Sequence, residues 1–430
     1  MKKKVKNIAI VGLGNIGSYL VKYLLNNKET LSKKNNCVPN VKYVSAKKRN
    51  KKRRIKISKK KWLKHYLDAT RLKDVDVIVE LIGGAEGPAK QLVFNALKNK
   101  KHVVTANKAL IAKYGDKLSK IAEKNKVNLE FEAAVCGGVP IVRSLKESLI
   151  ANKIKKVYGI FNGTSNYILS TMDKENKDFN DVLKNAKDLG YAETNPKTDL
   201  NGEDVASKLK ILSSLCFNSF IDHKIHVEGI SSIDQHDIDN ANKLGYKIKL
   251  LGFSEIINKV VYQRVHPALI KKSSYIASID GVLNAVIVEG NPIGQNVIQG
   301  EGAGPEATTS ALVSDISSIL RGNIKFPFSI SSNERKKLNY KSISESFFSA
   351  YLRFEVKDKP GVLSNITSVF SKNKVSIKRL IQNPNKSKKN SSIIIVTHNA
   401  KDVFLNKILN QINKKNYITK KSKLIRISNV

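Results

Sequence analysis

Residues 7–17 read Asn7-Ile8-Ala9-Ile10-Val11-Gly12-Leu13-Gly14-Asn15-Ile16-Gly17. A short apolar strand runs straight into a GxGxxG turn and then into a stretch, residues 15–27, predicted to be helical. A glycine triplet alone is weak, but one that ends a strand, opens a helix and lies near the N-terminus marks a dinucleotide site. Gly12 permits the tight turn, Gly14 lets the backbone approach a pyrophosphate, and Gly17 lets helix and strand pack closely. The free N–H groups and the positive end of the helix dipole then face the phosphates. Gly12, Leu13, Gly14, Asn15, Ile16 and Gly17 are therefore cofactor-binding candidates; the alternative is an ordinary strand–helix turn.

Working outward, residues 41–45 read as a second strand. Residues 75–82 are a nearly continuous apolar run, as expected of a strand covered on both faces. Residues 88–98 form a helix with proline near its first turn, and residues 102–105 and 127–131 are further strands. This βαβ rhythm predicts an α/β fold with a Rossmann-type, doubly wound parallel sheet. The second strand ends Tyr43-Val44-Ser45-Ala46, then Lys47-Lys48-Arg49, and no acidic residue follows until Asp68. An acid there would hold the ribose hydroxyls of NAD, whereas serine and a basic cluster suit a 2′-phosphate. NADP(H) is the expected cofactor, with NAD(H) possible; a solvated basic loop is the competing reading.

The chain has 430 residues and a hydrophobic fraction of 41%, enough for two or three domains with real cores. No stretch approaches the roughly 18 apolar residues of a membrane span, and a signal peptide is not apparent, so no membrane association and a cytoplasmic location are expected. Cys37, Cys136 and Cys216 are too scattered for a disulfide framework or a thiolate zinc site. His223 and His226 lack a third ligand nearby. The formal charge of +41 could signal nucleic acid. Lys, Asn and Ile are abundant along the whole chain, however, as an AT-rich coding sequence produces. The basic runs carry no interleaved aromatics, and no nucleic-acid partner is expected.

From about residue 137 the texture changes. Residues 162–217 look mainly helical, and 246–255, 260–265 and 284–289 look like strands. A glycine-rich stretch at 298–305 precedes a helix at 307–320, and residues 321–347 look like a linker. A terminal unit then reads strand 351–356, turn 357–361, helix 362–372, strand 375–382, polar turn, strand 392–397, helix, and a last strand at 423–428.

Glu193, Asp199 and Asp204 are three carboxylates just before and inside a helix, and Asp204 and Lys208 share one face at i,i+4. Such a cluster suits the ammonium group of an amino acid, and the lysine beside it can protonate a carbonyl oxygen as hydride arrives. A surface salt bridge at a helix start, common and worth little, is the alternative.

Five segments taken together resemble the homoserine dehydrogenase family. They are Glu80-Leu81-Ile82-Gly83-Gly84, Val104-Thr105-Ala106-Asn107-Lys108, residues 131–140 (FEAAVCGGVP), residues 159–167 (GIFNGTSNY), and the stretch from Leu189-Gly190-Tyr191-Ala192-Glu193 to Lys208. The resemblance covers roughly residues 8–320. It implies NAD(P)H-dependent reduction of L-aspartate 4-semialdehyde to L-homoserine, on the route to threonine, methionine and isoleucine. It implies that Lys208 is the proton donor, that Glu193 and Asp204 hold substrate with Asp199 in support, and that Lys108 lies between nicotinamide and substrate. Thr105, Gly190 and Gly302 are implied cofactor contacts. Glu132, Val135, Gly137 and Val139 match the family's monovalent-cation site, such as one for Na+, with Cys136 departing from the glycine often found there. The implied division is a nucleotide-binding domain at 1–136, to which helix 305–321 returns, an α+β catalytic and dimerisation domain at 137–304, and a linker at 322–347.

Asp358-Lys359-Pro360-Gly361-Val362-Leu363 opens a helix in the terminal unit, which resembles the ferredoxin-like ACT fold across 348–430. That resemblance implies an amino-acid effector, most simply the end product threonine, and a homodimer or homotetramer. A module without ligand is the alternative. No kinase-like segment precedes the dehydrogenase segments, so a single activity is expected. The rival to an enzyme is a non-catalytic sensor of nucleotide and amino acid, which would have no need to keep Lys108, Glu193, Asp204 and Lys208 together.

Overall fold

The computed structural model describes residues 3–53, 55–384 and 389–430. The polar turn expected between strands 375–382 and 392–397 lies partly outside them.

The first unit runs Lys4–Val11 (β1), Asn15–Asn26 (α1), Lys28–Asn35 (α2), Cys37–Ser45 (β2), Asp68–Arg71 (α3), Val77–Glu80 (β3), Pro88–Lys98 (α4), His102–Thr105 (β4), Lys108–Lys124 (α5) and Leu129–Glu130 (β5). Its sheet is parallel in the order β2-β1-β3-β4-β5. The order reverses between β1 and β3, and a crevice opens at such a switch point beyond the carboxyl ends of the strands. Register places four strand ends at one level: Val11 lies beside Ser45 and Glu80, and Glu80 beside Thr105. Each βα loop therefore projects its functional residues into the same crevice. Central strands with both faces covered explain why Ile8, Ala9, Ile10 and Val77–Val79 are buried without alternation.

The second unit contributes Ile141–Arg143 (α6), Lys153–Ile160 (β6), Gly163–Glu175 (α7), Phe179–Asp188 (α8), Lys197–Leu200 (α9), Glu203–Cys216 (α10), His226–Val227 (β7) and Gln235–Lys243 (α11). It continues with Tyr246–Ile257 (β8), Val260–Lys271 (β9), Leu283–Asn291 (β10), Gly294–Glu301 (β11) and Pro305–Leu320 (α12). Its sheet runs β11-β10-β6-β8-β9, with α10 packed on β6 and β8. Helix α12 returns to the first unit, where Leu312, Ile316 and Ile319 share a core with Leu20 and Leu24.

The third unit is Asn339–Lys341 (β12), Phe347–Lys357 (β13), Val362–Lys372 (α13), Ile377–Pro384 (β14), Asn390–Thr397 (β15), Ala400–Lys401 (β16), Asp402–Asn413 (α14) and Ile418–Ser428 (β17). Its sheet is antiparallel in the order β17-β13-β15-β14, and its helices cover one face. That is the ferredoxin-like arrangement expected. The sheet is also joined to the second unit's sheet: β17 pairs in parallel with β9, Arg426 opposite Ala268 and Ser428 opposite Ile270.

Several expectations need correction. Residues 322–347 are not a loose linker. Phe328 is buried against Phe131 at 5.2 Å between ring centroids, Arg335 pairs with Asp116 at 3.1 Å, and β12 adds to β9. The glycine-rich stretch at 298–305 contains the second half of an edge strand, β11, whose exposure dilutes any apolar pattern. Strand β6 was not anticipated because lysines occupy Lys153, Lys155 and Lys156, although its second half is fully buried. Strand β2 begins at Cys37, four residues before the expected start, and α2 carries too few apolar residues to show a periodicity.

Candidate active site

The glycine turn has the geometry its sequence implies. Gly12 has φ +110°, and a Cβ there would lie 2.3 Å from the Leu81 carbonyl oxygen; one on Gly17 would lie 2.0 Å from the carbonyl oxygen of Gly12. Those two glycines are fixed by backbone contact. A Cβ on Gly14, by contrast, meets nothing within 4 Å, and no side chain caps the start of α1. The turn thus offers open space and free N–H groups with Leu13, Asn15 and Ile16 around them, the form a phosphate fits.

Beyond β2, Arg53 organises the basic loop. Its guanidinium donates to the carbonyls of Leu13 (3.1 Å), Lys48 (2.7 Å), Arg49 (2.9 Å) and Lys51 (2.8 Å), and it stacks with Arg49 on Trp62. Lys48, Arg49 and Lys51 are thereby tied to the glycine turn. Nothing in a lysine-rich run singled out Arg53.

On the far side of the crevice, Glu80 is fully buried. Its carboxylate accepts from the N–H groups of Ile82 (2.7 Å) and Gly83 (3.0 Å) and from the Thr105 hydroxyl (2.5 Å). The Thr105 oxygen accepts from Asn107 N at 3.0 Å. Asn107 donates to Gly84 O at 2.7 Å and accepts from Leu110 N at 3.1 Å, capping α5; such a cap contributes about 1 kcal/mol. Helix α5 then opens with Lys108. The chain from Glu80 to Asn107 fixes where that lysine starts, and the only hint of it was an acid closing an otherwise apolar strand.

Lys108 meets Asp204, the second residue of α10, at 2.9 Å, and Lys208, one turn along α10, meets the other Asp204 oxygen at 2.8 Å. The Lys208 ammonium also donates to Phe161 O at 2.6 Å. Asn162, beside Phe161, donates to Asp199 (2.7 Å) and Asp204 (3.0 Å) and caps α7 through its side-chain oxygen. Lysines from two units thus share one carboxylate at the mouth of the crevice. Asp204 and Lys208 are buried, while the Lys108 side chain is 44% exposed. Burial raises the Asp204 carboxyl, but Lys208 and Lys108 outweigh it and hold it below the usual carboxylate range. Burial also works against the Lys208 ammonium, and Asp204 reverses it, so Lys208 is held above its ordinary value and stays charged. Asp199 is pushed up by burial and then by Asp204. A lysine held charged in this way can donate a proton to a carbonyl oxygen placed beside it.

Two expected contacts are not brought into this cluster. Glu193 lies exposed on the loop after α8 and pairs with nothing among the described residues. Gly190, at φ +76°, ends that helix. Gly302 lies nearer: a Cβ on it would collide with the amide of Asn284 at 2.2 Å, and one on Gly137 with Gly302 O at 2.6 Å, so the loop before α12 lies against the 132–139 turn.

In that turn, Glu132 is buried and accepts from Val142 N (2.9 Å) and Arg143 N (2.6 Å), while its own N–H donates to Asp315 at 2.9 Å. Nearby acids find cations, Glu130 with Lys146 at 2.9 Å and Asp315 with Arg143 at 3.4 Å. Glu132 pairs with no side-chain cation among the described residues, and burial pushes its carboxyl up to about 7. Cys136 (φ +56°) and Gly137 (φ +46°) are both left-handed, which reverses the chain between Val135 and Val139. For Cys136 that conformation costs about 1–2 kcal/mol.

The family model described as "Homoserine dehydrogenase" matches residues 140–317, "Homoserine dehydrogenase, NAD binding domain" residues 12–132, and "AHAS small subunit-like ACT domain" residues 352–420. The chain is 38% identical over 434 residues to a homoserine dehydrogenase of Neisseria gonorrhoeae, covering 99% of each. It is 37% identical to that of Bacillus subtilis, covering 95% of each. A crystal structure of a homoserine dehydrogenase from Thiobacillus denitrificans superposes with a TM-score of 0.90 at 34% identity, covering 99% of both chains.

Proposed function

Because the chain belongs to the homoserine dehydrogenase family, oxidoreductases acting on a CH–OH group, we propose that Lys208 protonates the carbonyl oxygen of L-aspartate 4-semialdehyde as it becomes L-homoserine. The observation that carries this is the buried, charged Lys208 sharing Asp204 with Lys108. A bound nicotinamide cofactor supplies the hydride. Asp204, with Asp199 in support, holds the substrate ammonium group; Glu193 joins them when its loop folds inward over bound substrate. Lys108, from the cofactor unit, stabilises the charge that grows on oxygen. The non-catalytic sensor reading is set aside, since the relatives matched along nearly the whole chain are dehydrogenases.

The residues fit a dinucleotide: the space over Gly14 and the uncapped start of α1 suit a pyrophosphate. We assign Gly12–Gly17, Thr105, Lys108, Gly190 and Gly302 to cofactor contact and Lys47–Arg49 to a 2′-phosphate. The expected result is a kcat/KM about tenfold or more higher with NADPH than with NADH, as one charge-assisted contact provides. The margin narrows as salt screens the loop. Assays with aspartate 4-semialdehyde and each reduced cofactor test both the activity and this preference; higher kcat/KM with NADH at physiological salt overturns the preference.

The 132–139 turn fits a monovalent cation such as Na+. Glu132, buried and paired with no side-chain cation among the described residues, supplies charge, and the carbonyls of Val135, Gly137 and Val139 supply neutral oxygens. The cation would hold the turn between the first two units. We read those units as residues 1–136 and 137–304, with 348–430 as the regulatory one. The same reading includes a cytoplasmic location, no nucleic-acid or membrane partner, and a homodimer or homotetramer; among the described residues no helix is long and apolar enough to cross a membrane. Among the described residues nothing pairs with the outer edge of β11, and this supports association, since exposed edges invite pairing. The ACT unit makes activity responsive to an amino acid, and millimolar threonine is expected to inhibit. Initial rates across a threonine series check this, and rates unchanged at millimolar threonine would remove threonine as effector.

A further inference from the structure

Part of the helix-free face of the C-terminal sheet is covered, with Tyr351, Ile394, Ile425 and Ile427 in the core shared with the catalytic unit. It packs on α11 of the catalytic unit, and between them lies a cavity of about 320 Å³. Its floor is Arg353, 5% exposed, whose guanidinium pairs with Asp234, with Asp237 at 2.9 Å and with Glu355 at 3.0 Å. Tyr351 adds a hydrogen bond to Asp237 at 3.3 Å. A fixed cation bridging two acids of one unit and one of the other makes a rigid base. The walls are different. Lys243 of α11 and Lys420 and Lys421 of β17 line the cavity and pair with no carboxylate among the described residues. Each wall also carries an acid: Asp239 lies one turn from Lys243 on α11, and Glu355 lies across the strand pair from Lys420, using one of its oxygens for both Arg353 and Ser392. A bulge creates this wall. Arg353 pairs with Lys423 and Glu355 with Lys420, so β17 carries one residue more than β13 there, and consecutive lysines reach the same cavity.

We propose that this interdomain cavity is the amino-acid effector site, binding a zwitterion whose carboxylate lies on Lys243, Lys420 and Lys421 and whose ammonium lies on Glu355 and Asp239. This rests on the reading above that the chain answers to an amino acid; it places that ligand between the units rather than at the 358–362 turn. A lining that carries both signs selects a zwitterion over a polyanion, which the acids would repel. A ligand here touches α11 and the sheet together, so it favours one seating of the regulatory unit over another.

The test is calorimetry on the full chain with L-threonine, L-methionine, L-isoleucine and L-lysine separately, and with inorganic phosphate. One amino acid is expected to bind, and Glu355→Gln and Lys421→Glu each to weaken it about tenfold or more, with Asp358→Ala leaving its Kd unchanged. Lys421 is exposed, so its variant keeps the fold even if Glu355→Gln does not. Binding that survives Lys421→Glu and a folded Glu355→Gln, or that is lost in Asp358→Ala, overturns the placement while sparing the amino-acid response. Binding of phosphate alone makes the cavity an anion site, and binding of none of these ligands removes both the placement and an effector of this class.

Discussion

Lys208→Ala is expected to lower kcat by about 10²–10⁴, the usual loss with a general acid, while the Kd for NADPH changes little. As hydride reaches carbon the carbonyl oxygen gains negative charge, and an unassisted alkoxide is a high-energy product. Lys208 is placed to prevent this, because Asp204 keeps it charged and Phe161 O and Asp204 fix its direction at 2.6 and 2.8 Å. Removing it does not strand Asp204, which retains Lys108 at 2.9 Å. The proposed cofactor cradle lies in the other unit, so affinity there has no reason to fall. Lys208→Arg is informative beside it: guanidinium keeps the charge but does not give up a proton at neutral pH, so it should preserve the fold without restoring turnover. A kcat for the alanine variant within about fivefold of the parent, far short of that range, would hand the role to Lys108.

Asp204→Asn should be nearly as damaging and should show in KM as well as kcat. Truncating one partner of a buried charge pair costs about 2–5 kcal/mol, roughly 30-fold or more in kcat/KM. The amide also leaves Lys208 buried beside a neutral group, so the variant should melt at a lower temperature; the half-exposed Lys108 adds little to that loss. The pH dependence has a definite sign. The Asp204 carboxyl is held low, so its stabilisation is complete above an ordinary carboxylate value of about 3.9 and is lost as pH falls through its folded value. Lys208 is held high, so its share is complete below about 10.4 and disappears as pH rises through its folded value. Neither group of the parent therefore titrates between pH 5 and 9, whereas in the variant burial lowers Lys208 unopposed by Asp204, so melting curves should show a gap between variant and parent that is largest at low pH and does not widen as pH rises. A gap that widens with rising pH would mean that the pair is not charged as described.

The first unit was legible because its constraints are local. A glycine with φ +110° against a carbonyl must be glycine, and central parallel strands must be apolar on both faces. The Asp204–Lys208 pairing was legible for the same reason, being one helical turn. What brings Lys108 to it was not, since two helix starts from separate units meet only in the folded chain. Asn162, which aligns Asp199 and Asp204, looked like an ordinary residue in a recognised segment. Glu193 rests on the resemblance alone: its side chain is exposed and pairs with nothing among the described residues. The supposed linker misled because anchors such as Phe328 and Arg335 are single residues separated by polar ones, a pattern no periodicity detects.

The parallel seam between β9 and β17 makes heat denaturation a single event rather than a sequence. Arg426, 1% exposed, crosses it to reach Glu228 at 2.8 Å while also holding Asp402 at 2.7 Å, and Arg353 does likewise with Asp234 and Asp237. Peeling the terminal unit away would strip an edge from the catalytic sheet and break the buried Arg353–Asp237 pair, at about 3–5 kcal/mol, while the part-exposed Glu228 and Asp234 add less. That is a large part of the stability an ordinary domain possesses. The two sheets consequently melt as one cooperative block, and the regulatory unit is not a bead that gene fusion could exchange without redesigning the strand beneath it.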